Sequence, residues 1–193
     1  MLNLVLFGPP GAGKGTHSVK LIEKYNLKRI STGDIFRYEI NNKTELGIKA
    51  NGFIAQGLLV PDEVVLEMLF NEMDKYNDVK GFVFDGFPRT IVQAEKFDEM
   101  LQFRKMPVSL VISLEVNEEE LIKRLIKRGI ETGRTDDTEE VIRKRFEVYN
   151  KQTKPLLEYY RKQKILHSVY GIGGIQTIFE NICKEIESEI NKK

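Results

Sequence analysis

Short apolar runs alternate along this chain with long stretches of helical spacing. Leu2 to Phe7, Gly81-Phe82-Val83-Phe84, Val108 to Leu114 and Lys164 to Val169 are runs of the first kind, each followed by an amphipathic segment. Near-continuous apolar strands separated by helices predict a parallel sheet covered on both faces. A short strand at Lys28 to Ile30 is expected to join them, giving an α/β fold with a doubly wound parallel five-stranded sheet. Between Asp34 and Tyr76 no strand pattern appears. That segment reads as helix, turn, helix, broken at Asn41-Asn42, Gly57 and Pro61, with Pro61-Asp62-Glu63 opening a helix on an acidic first turn. Gly129 to Arg134, with two glycines and adjacent arginines, is expected to form a mobile flap between two helices. One domain over 1–193 follows: a core of 1–30, 77–127 and 139–193, a helical excursion at 31–76 and a short lid at 128–138.

The first apolar run ends in Gly8-Pro9-Pro10-Gly11-Ala12-Gly13-Lys14, and Gly15-Thr16 opens a helix. A glycine-rich loop between a strand and a helix aims consecutive backbone N–H groups and a helix N-terminus at one point, which suits a polyphosphate, while Lys14 reaches the outer phosphates. The usual pattern sets Ser or Thr directly after the lysine. Here Gly15 intervenes before Thr16, so a hydroxyl contact from Thr16 to Mg²⁺ is not implied.

Composition narrows the partners. The 193 residues are 41% hydrophobic and 31% charged, enough to bury one sizeable core, and the formal net charge of +1 gives no long-range field to attract a nucleic acid. Anion specificity must therefore be local. A lone Cys183 forms no intrachain disulfide and fits a reducing cytosol as a small core hydrophobe. No apolar run is long enough to span a membrane and no secretory leader pattern opens the chain, so a cytoplasmic location is expected. Asn191-Lys192-Lys193 is expected to fray into solvent.

Phosphoryl transfer between two nucleotides gathers several negative charges, and one loop lysine is too few to meet them. Arg124 and Arg128 lie four apart on one helical face, beside a stripe of Leu121, Ile122, Leu125 and Ile126. Arg145 has Val141, Ile142, Val148 and Tyr149 at helical spacing, which turns it inward, whereas Arg143 sits among Glu139, Glu140 and Glu147 and reads as a surface residue. No acid shares the Arg145 stripe, so a ligand phosphate is the sharper expectation over a structural carboxylate from elsewhere. Phe82-Val83-Phe84-Asp85 ends an apolar strand in an acid placed to hold Mg²⁺, through water, and Gly86-Phe87-Pro88-Arg89 follows at the strand's carboxyl end, where α/β sheets bind ligands. His17 and His167 read as structural. An acceptor phosphate is already anionic near neutral pH, so no general base is required.

With GPPGAGKGT, ISTGDIFR, GLLVPDE, FVFDGFPRT with Gln93, the Arg124/Arg128 pair and GRTDDTEEVIRKR in this order, the chain resembles the adenylate kinases of the nucleoside monophosphate kinase family, in their short-lid form without zinc cysteines. The resemblance covers essentially the whole chain and implies a P-loop kinase. ATP phosphates would lie on Gly11, Ala12, Gly13, Lys14, Gly15 and Thr16, with Arg124 on the adenine, Arg128 on the phosphates and Gly173 near the donor base. AMP would be held by Thr32, Arg37, the Leu58, Leu59 and Val60 backbone, Gly86, Phe87, Pro88, Arg89 and Gln93, with Arg134 and Arg145 closing from the lid. Lys14, Arg89, Arg128, Arg134 and Arg145 would form the catalytic set. The implied reaction is reversible Mg²⁺-dependent transfer from ATP to AMP giving two ADP by a monomer. A glutamine amide can serve adenine or, flipped, uracil. The Thr32/Gln93 pair looks like adenylate kinase, and a UMP/CMP kinase is the alternative. A non-catalytic ATP-binding switch, the alternative from another class, has no use for a second cationic cluster at Arg37 and Arg89.

Overall fold

A computed structural model of the chain describes residues 1–191; Lys192 and Lys193, the end of the expected fraying tail, lie outside the described residues. Five strands form one parallel sheet: β1 (Leu4–Phe7), β2 (Lys28–Ser31), β3 (Phe82–Asp85), β4 (Leu110–Glu115) and β5 (Leu166–Tyr170), in the order β2-β3-β1-β4-β5. β1 is central, and the chain winds first to one side of it and then to the other. The crevice for a ligand in such a sheet lies at the carboxyl ends of the strands flanking that reversal.

The apolar runs are explained by two cores. Val5, Phe7, Ile30, Phe82, Phe84 and Val111 face one side of the sheet, and Leu4, Leu6, Val83, Leu110 and Ile112 the other. Because both faces are covered, successive residues of each central strand are apolar. Cys183 is buried in the second core.

Helices α1 (Lys14–Tyr25), α5 (Ile91–Phe103), α6 (Glu118–Thr132), α7 (Glu139–Val148), α8 (Leu156–Lys162) and α9 (Ile175–Ile190) accompany the sheet. Between β2 and β3 stand α2 (Thr32–Asn41), α3 (Glu45–Ile54) and α4 (Asp62–Met73), so the helical excursion falls at the stretch lacking strand signals, with its breaks at Asn42, Gly57 and Pro61. Side-chain caps fix where several helices start: Ser31, Thr44, Thr90 and Asn117 accept from the backbone N–H of Asp34, Gly47, Gln93 and Glu120.

The expected flap at Gly129 to Arg134 is shorter than its composition implied. α6 runs through Gly129 and Ile130 to Thr132, and Gly133 (φ 66°) ends it in the left-handed conformation that glycine adopts without strain. Gly129 has a packing role instead, since a Cβ there would stand 3.0 Å from the Asp137 side chain. What remains of the flap is Gly133, Arg134 and a 3₁₀ turn, Thr135–Asp137. Ile126, expected on the buried stripe of α6, is 39% exposed, while Leu121 and Leu125 are buried.

Candidate active site

The carboxyl ends of β1, β2 and β3 end level with one another: Leu6 pairs with Asp85 across one ladder and Ser31 with Asp85 across the next. Above them opens a cleft of about 700 Å³. One wall is the loop from Gly8 to Lys14. Gly11 (φ 83°) packs closely on α6, because a Cβ there would meet the Leu125 side chain at 3.0 Å and the Leu121 carbonyl oxygen at 3.1 Å. The bare glycine lets α6 lie on the loop and carry its arginines to the cleft.

Lys14 folds back over this loop, donating to the carbonyl oxygens of Gly8 (2.6 Å) and Pro9 (2.9 Å). Burial, only partly offset by the Asp85 carboxylate and reinforced by the guanidiniums of Arg89, Arg145 and Arg128, pulls its ammonium down to about 7. Arg89, on the turn after β3, lines the same cleft, its Nε donating to the Gly86 carbonyl oxygen at 2.7 Å. Burial and then Arg145 press it down to about 10. Both groups are basic side chains held where positive charge is costly, which is how a site is prepared for an anion.

Lys14, Arg29, Arg37, Arg89, Arg124, Arg128, Arg134 and Arg145 all line the cleft, against the carboxylates of Asp34 and Asp85 alone. Gly11, Ala12, Gly13, Gly15, Thr16, Leu59, Gly86, Phe87, Pro88 and Gly173 line it too. Thr32, Leu58, Val60 and Gln93 do not. The Thr32 hydroxyl donates to the Gly86 carbonyl oxygen at 2.9 Å, and Val60 is buried in the first core. Gln93 is 1% exposed and its amide is held at both atoms: Nε2 donates to Asp62 at 2.8 Å, and Oε1 accepts from the Arg89 backbone N–H at 2.7 Å.

Arg145 points inward as its spacing implies, yet it does have carboxylate partners. Nη1 donates to Asp136 Oδ2 at 2.9 Å and Asp137 Oδ1 at 2.8 Å. The acids come from the 3₁₀ turn eight and nine positions earlier, outside the helix on which periodicity can be read. Asp137 also accepts from Arg128 at 2.7 and 2.8 Å and is buried between the two arginines. Arg124 donates to Glu120 and to the Gly171 carbonyl oxygen, which links α6 to the segment carrying Gly173. Arg143 pairs with Glu139 on the surface.

Four residues of this site received no role from the sequence. Arg29 on β2 donates to Asp85 at 2.6 Å and Asp34 at 2.5 Å. Asp136 and Asp137 hold Arg128 and Arg145. Thr153 ends the widened π turn Tyr149–Thr153 and donates to the Arg89 carbonyl oxygen at 2.8 Å. His17, read as structural, is buried at the cleft wall with Nδ1 lacking a hydrogen-bond partner, while His167 pairs with Glu185 at 2.8 Å between β5 and α9.

A bare metal ion has no cage here, since no group of three His, Cys, Asp or Glu side chains converges among the described residues. Asp85 at the cleft floor, beside a loop shaped for phosphates, fits instead a hydrated Mg²⁺ borne by a nucleotide, held by one carboxylate and the phosphates.

A strand, a glycine loop, a helix N-terminus and converging arginines at the switch point of a parallel sheet define the class of P-loop nucleotide kinases. The model of the adenylate kinase family matches residues 6–165. Proteins named adenylate kinase from Bacteroides fragilis and Bacteroides thetaiotaomicron are 52% and 50% identical over 188 and 187 residues, spanning 97% of this chain and 100% and 99% of theirs. One from Flavobacterium psychrophilum is 50% identical over 189 residues, 97% of this chain and all of the relative. The chain belongs to the adenylate kinase family. Among the described residues no helix is long and apolar enough to cross a membrane.

Proposed function

We propose that the chain transfers the γ-phosphoryl group of ATP reversibly to AMP, giving two ADP. The observation that carries this reading is the division of one cleft between two cationic ends. Lys14, Arg124 and Arg128 stand with the glycine loop, Arg37 and Arg89 stand with α2 and the turn after β3, and Arg134 and Arg145 lie on the lid side. A protein that only binds one nucleotide has no use for the second end.

In this scheme ATP phosphates lie on the loop N–H groups, with Lys14 at the group transferred. The AMP phosphate lies between Arg37 and Arg89. Its second ionisation near pH 6 leaves the attacking oxygen anionic, so the residues align and neutralise and none needs to take a proton. A nucleotide-borne Mg²⁺ at Asp85 supplies further neutralisation of the phosphate oxygens when bound. Arg128 and Arg145 would exchange part of their pairing with Asp136 and Asp137 for phosphate as the lid closes and water is excluded. Gln93, fixed by Asp62 and the Arg89 N–H, would offer the adenine its second amide N–H and the second lone pair of Oε1. We assign the protein to the cytoplasm as a monomer.

An ADP-formation assay across AMP, UMP, CMP and GMP tests the assignment. AMP is expected to be the preferred acceptor, and a clear preference for a pyrimidine monophosphate would overturn it in favour of a UMP/CMP kinase.

A further inference from the structure

Arg29 has no part in the scheme above, yet it lines the cleft and bridges the carboxylates of Asp85 at the end of β3 and Asp34 in α2. Its strand position faces Val83 in the β2–β3 ladder, and its guanidinium reaches past the strand ends to Asp85 Oδ2 (2.6 Å) and Asp34 Oδ2 (2.5 Å). Asp34 in turn accepts from Arg37. Asp85, Arg29, Asp34 and Arg37 thus form a row of alternating charge across the point where the chain leaves the core at Ser31 and enters α2.

The row is built rather than incidental. The Arg29 side chain is 22% exposed and that of Asp85 10%, and Arg29 Nε is buried without a hydrogen-bond partner. A Cβ on Gly15 would stand 3.6 Å from both Arg29 Nη2 and Asp85 Oδ2, an ordinary contact distance. The Arg29–Asp85 pair thus lies against the backbone at the start of α1. A guanidinium fork can hold two carboxylates at once in fixed directions, which an ammonium cannot.

We propose that Arg29 is a positioning residue that couples the two nucleotide sites. Resting on the two-nucleotide reading, the coupling works by exchange of partners. When the donor's cation draws on the Asp85 carboxylate, Arg29 shifts its bonding toward Asp34, Asp34 loosens its hold on Arg37, and Arg37 becomes available to the acceptor phosphate. Donor binding then tightens acceptor binding, and by linkage the reverse holds to the same factor.

Calorimetry of AMP binding, with and without a saturating non-hydrolysable ATP analogue and Mg²⁺, tests this without turnover. In the unaltered protein the Mg²⁺-bound analogue is expected to tighten AMP binding about fivefold or more. Arg29→Gln is expected to abolish that tightening and to weaken AMP binding in the absence of analogue, because Asp34 is left to Arg37 alone. Arg29→Lys keeps the charge but not the fork and is expected to lose the tightening too. Asp34→Asn, which removes the row from its other end, should also lose it, yet bind AMP alone more tightly than the unaltered protein. Tightening that survives in Arg29→Gln or in Asp34→Asn overturns the proposal, as does its absence from the unaltered protein. If AMP fails to bind at all beside the analogue, the two-nucleotide reading falls; if both bind and the variants change nothing, only the role of Arg29 does.

Discussion

The loop at Gly8 to Thr16 and the excursion from α2 to α4 face each other across one cleft and are made in opposite ways. In the loop the backbone is the binding surface: glycines set its path, and even Lys14 is held by its own loop carbonyls five and six residues back. At the excursion, side chains are held by other side chains, several of them on β2, β3 and α5. Arg37 answers to Asp34, Asp34 to Arg29, Arg29 to Asp85, and Gln93 to Asp62. A site made of backbone is fixed as soon as strand and helix form, whereas one made of side-chain networks is fixed only when distant elements meet. The loop should therefore respond to single changes with loss of chemistry, and the excursion with graded loss of affinity and stability.

The largest effect expected from this contrast is at Lys14. Lys14→Ala should lower kcat/KM by about 10³-fold, since it removes the charge at the group transferred. Arg89→Ala should cost about 10²-fold while lowering thermal stability little, because burial and Arg145 already hold that side chain against its charge. Steady-state kinetics with thermal melts of both variants check this, and an Arg89→Ala enzyme with normal turnover would remove the acceptor site from its proposed place.

Inside the excursion, Gly47 lies where α3 crosses α2: a Cβ there would fall 2.2 Å from the Glu39 carbonyl oxygen. Gly47→Ala should destabilise the protein by about 2 kcal/mol, a Tm loss of roughly 4–8 °C, and raise KM for AMP more than for ATP. Equal rises for the two nucleotides would mean that the excursion does not serve the acceptor alone.

Protonation sharpens the comparison further. With Lys14 near 7 in the free protein, phosphate beside its ammonium must raise it, so ATP binding at pH 8 should take up close to one proton. Calorimetry in buffers of different ionisation enthalpy measures this, and Lys14→Met should abolish it. The smallest effect lies at Asp34. Burial alone would raise its carboxyl, but the hydrogen bonds and charges of Arg37 and Arg29 outweigh it and hold the group down at about 2 against 3.8 unfolded. A depressed carboxylate stabilises the fold above its unfolded value and loses that contribution as pH falls through its folded one. Asp34→Asn should thus cost below about 1 kcal/mol at pH 7, the side chain being half-exposed, with the gap to the unaltered protein closing between about pH 4 and 2 in denaturant titrations.

The sequence by itself determined the parallel sheet, the glycine loop with Lys14, the helical excursion and the inward face of Arg145, because each depends on residues within a few positions of one another. Apolar runs define strands covered on both sides, and a glycine loop between strand and helix has few conformations open to it. Only the tertiary structure decided that Arg145 and Arg128 share Asp137, that Gln93 is engaged by Asp62, and that Arg29 spans Asp34 and Asp85. It also decided that α6 continues through Gly129, which its packing against Asp137 accommodates. The partners in such pairs lie up to 56 residues apart in the chain. A charged side chain follows whichever opposite charge the fold brings within reach, and no local spacing encodes that encounter.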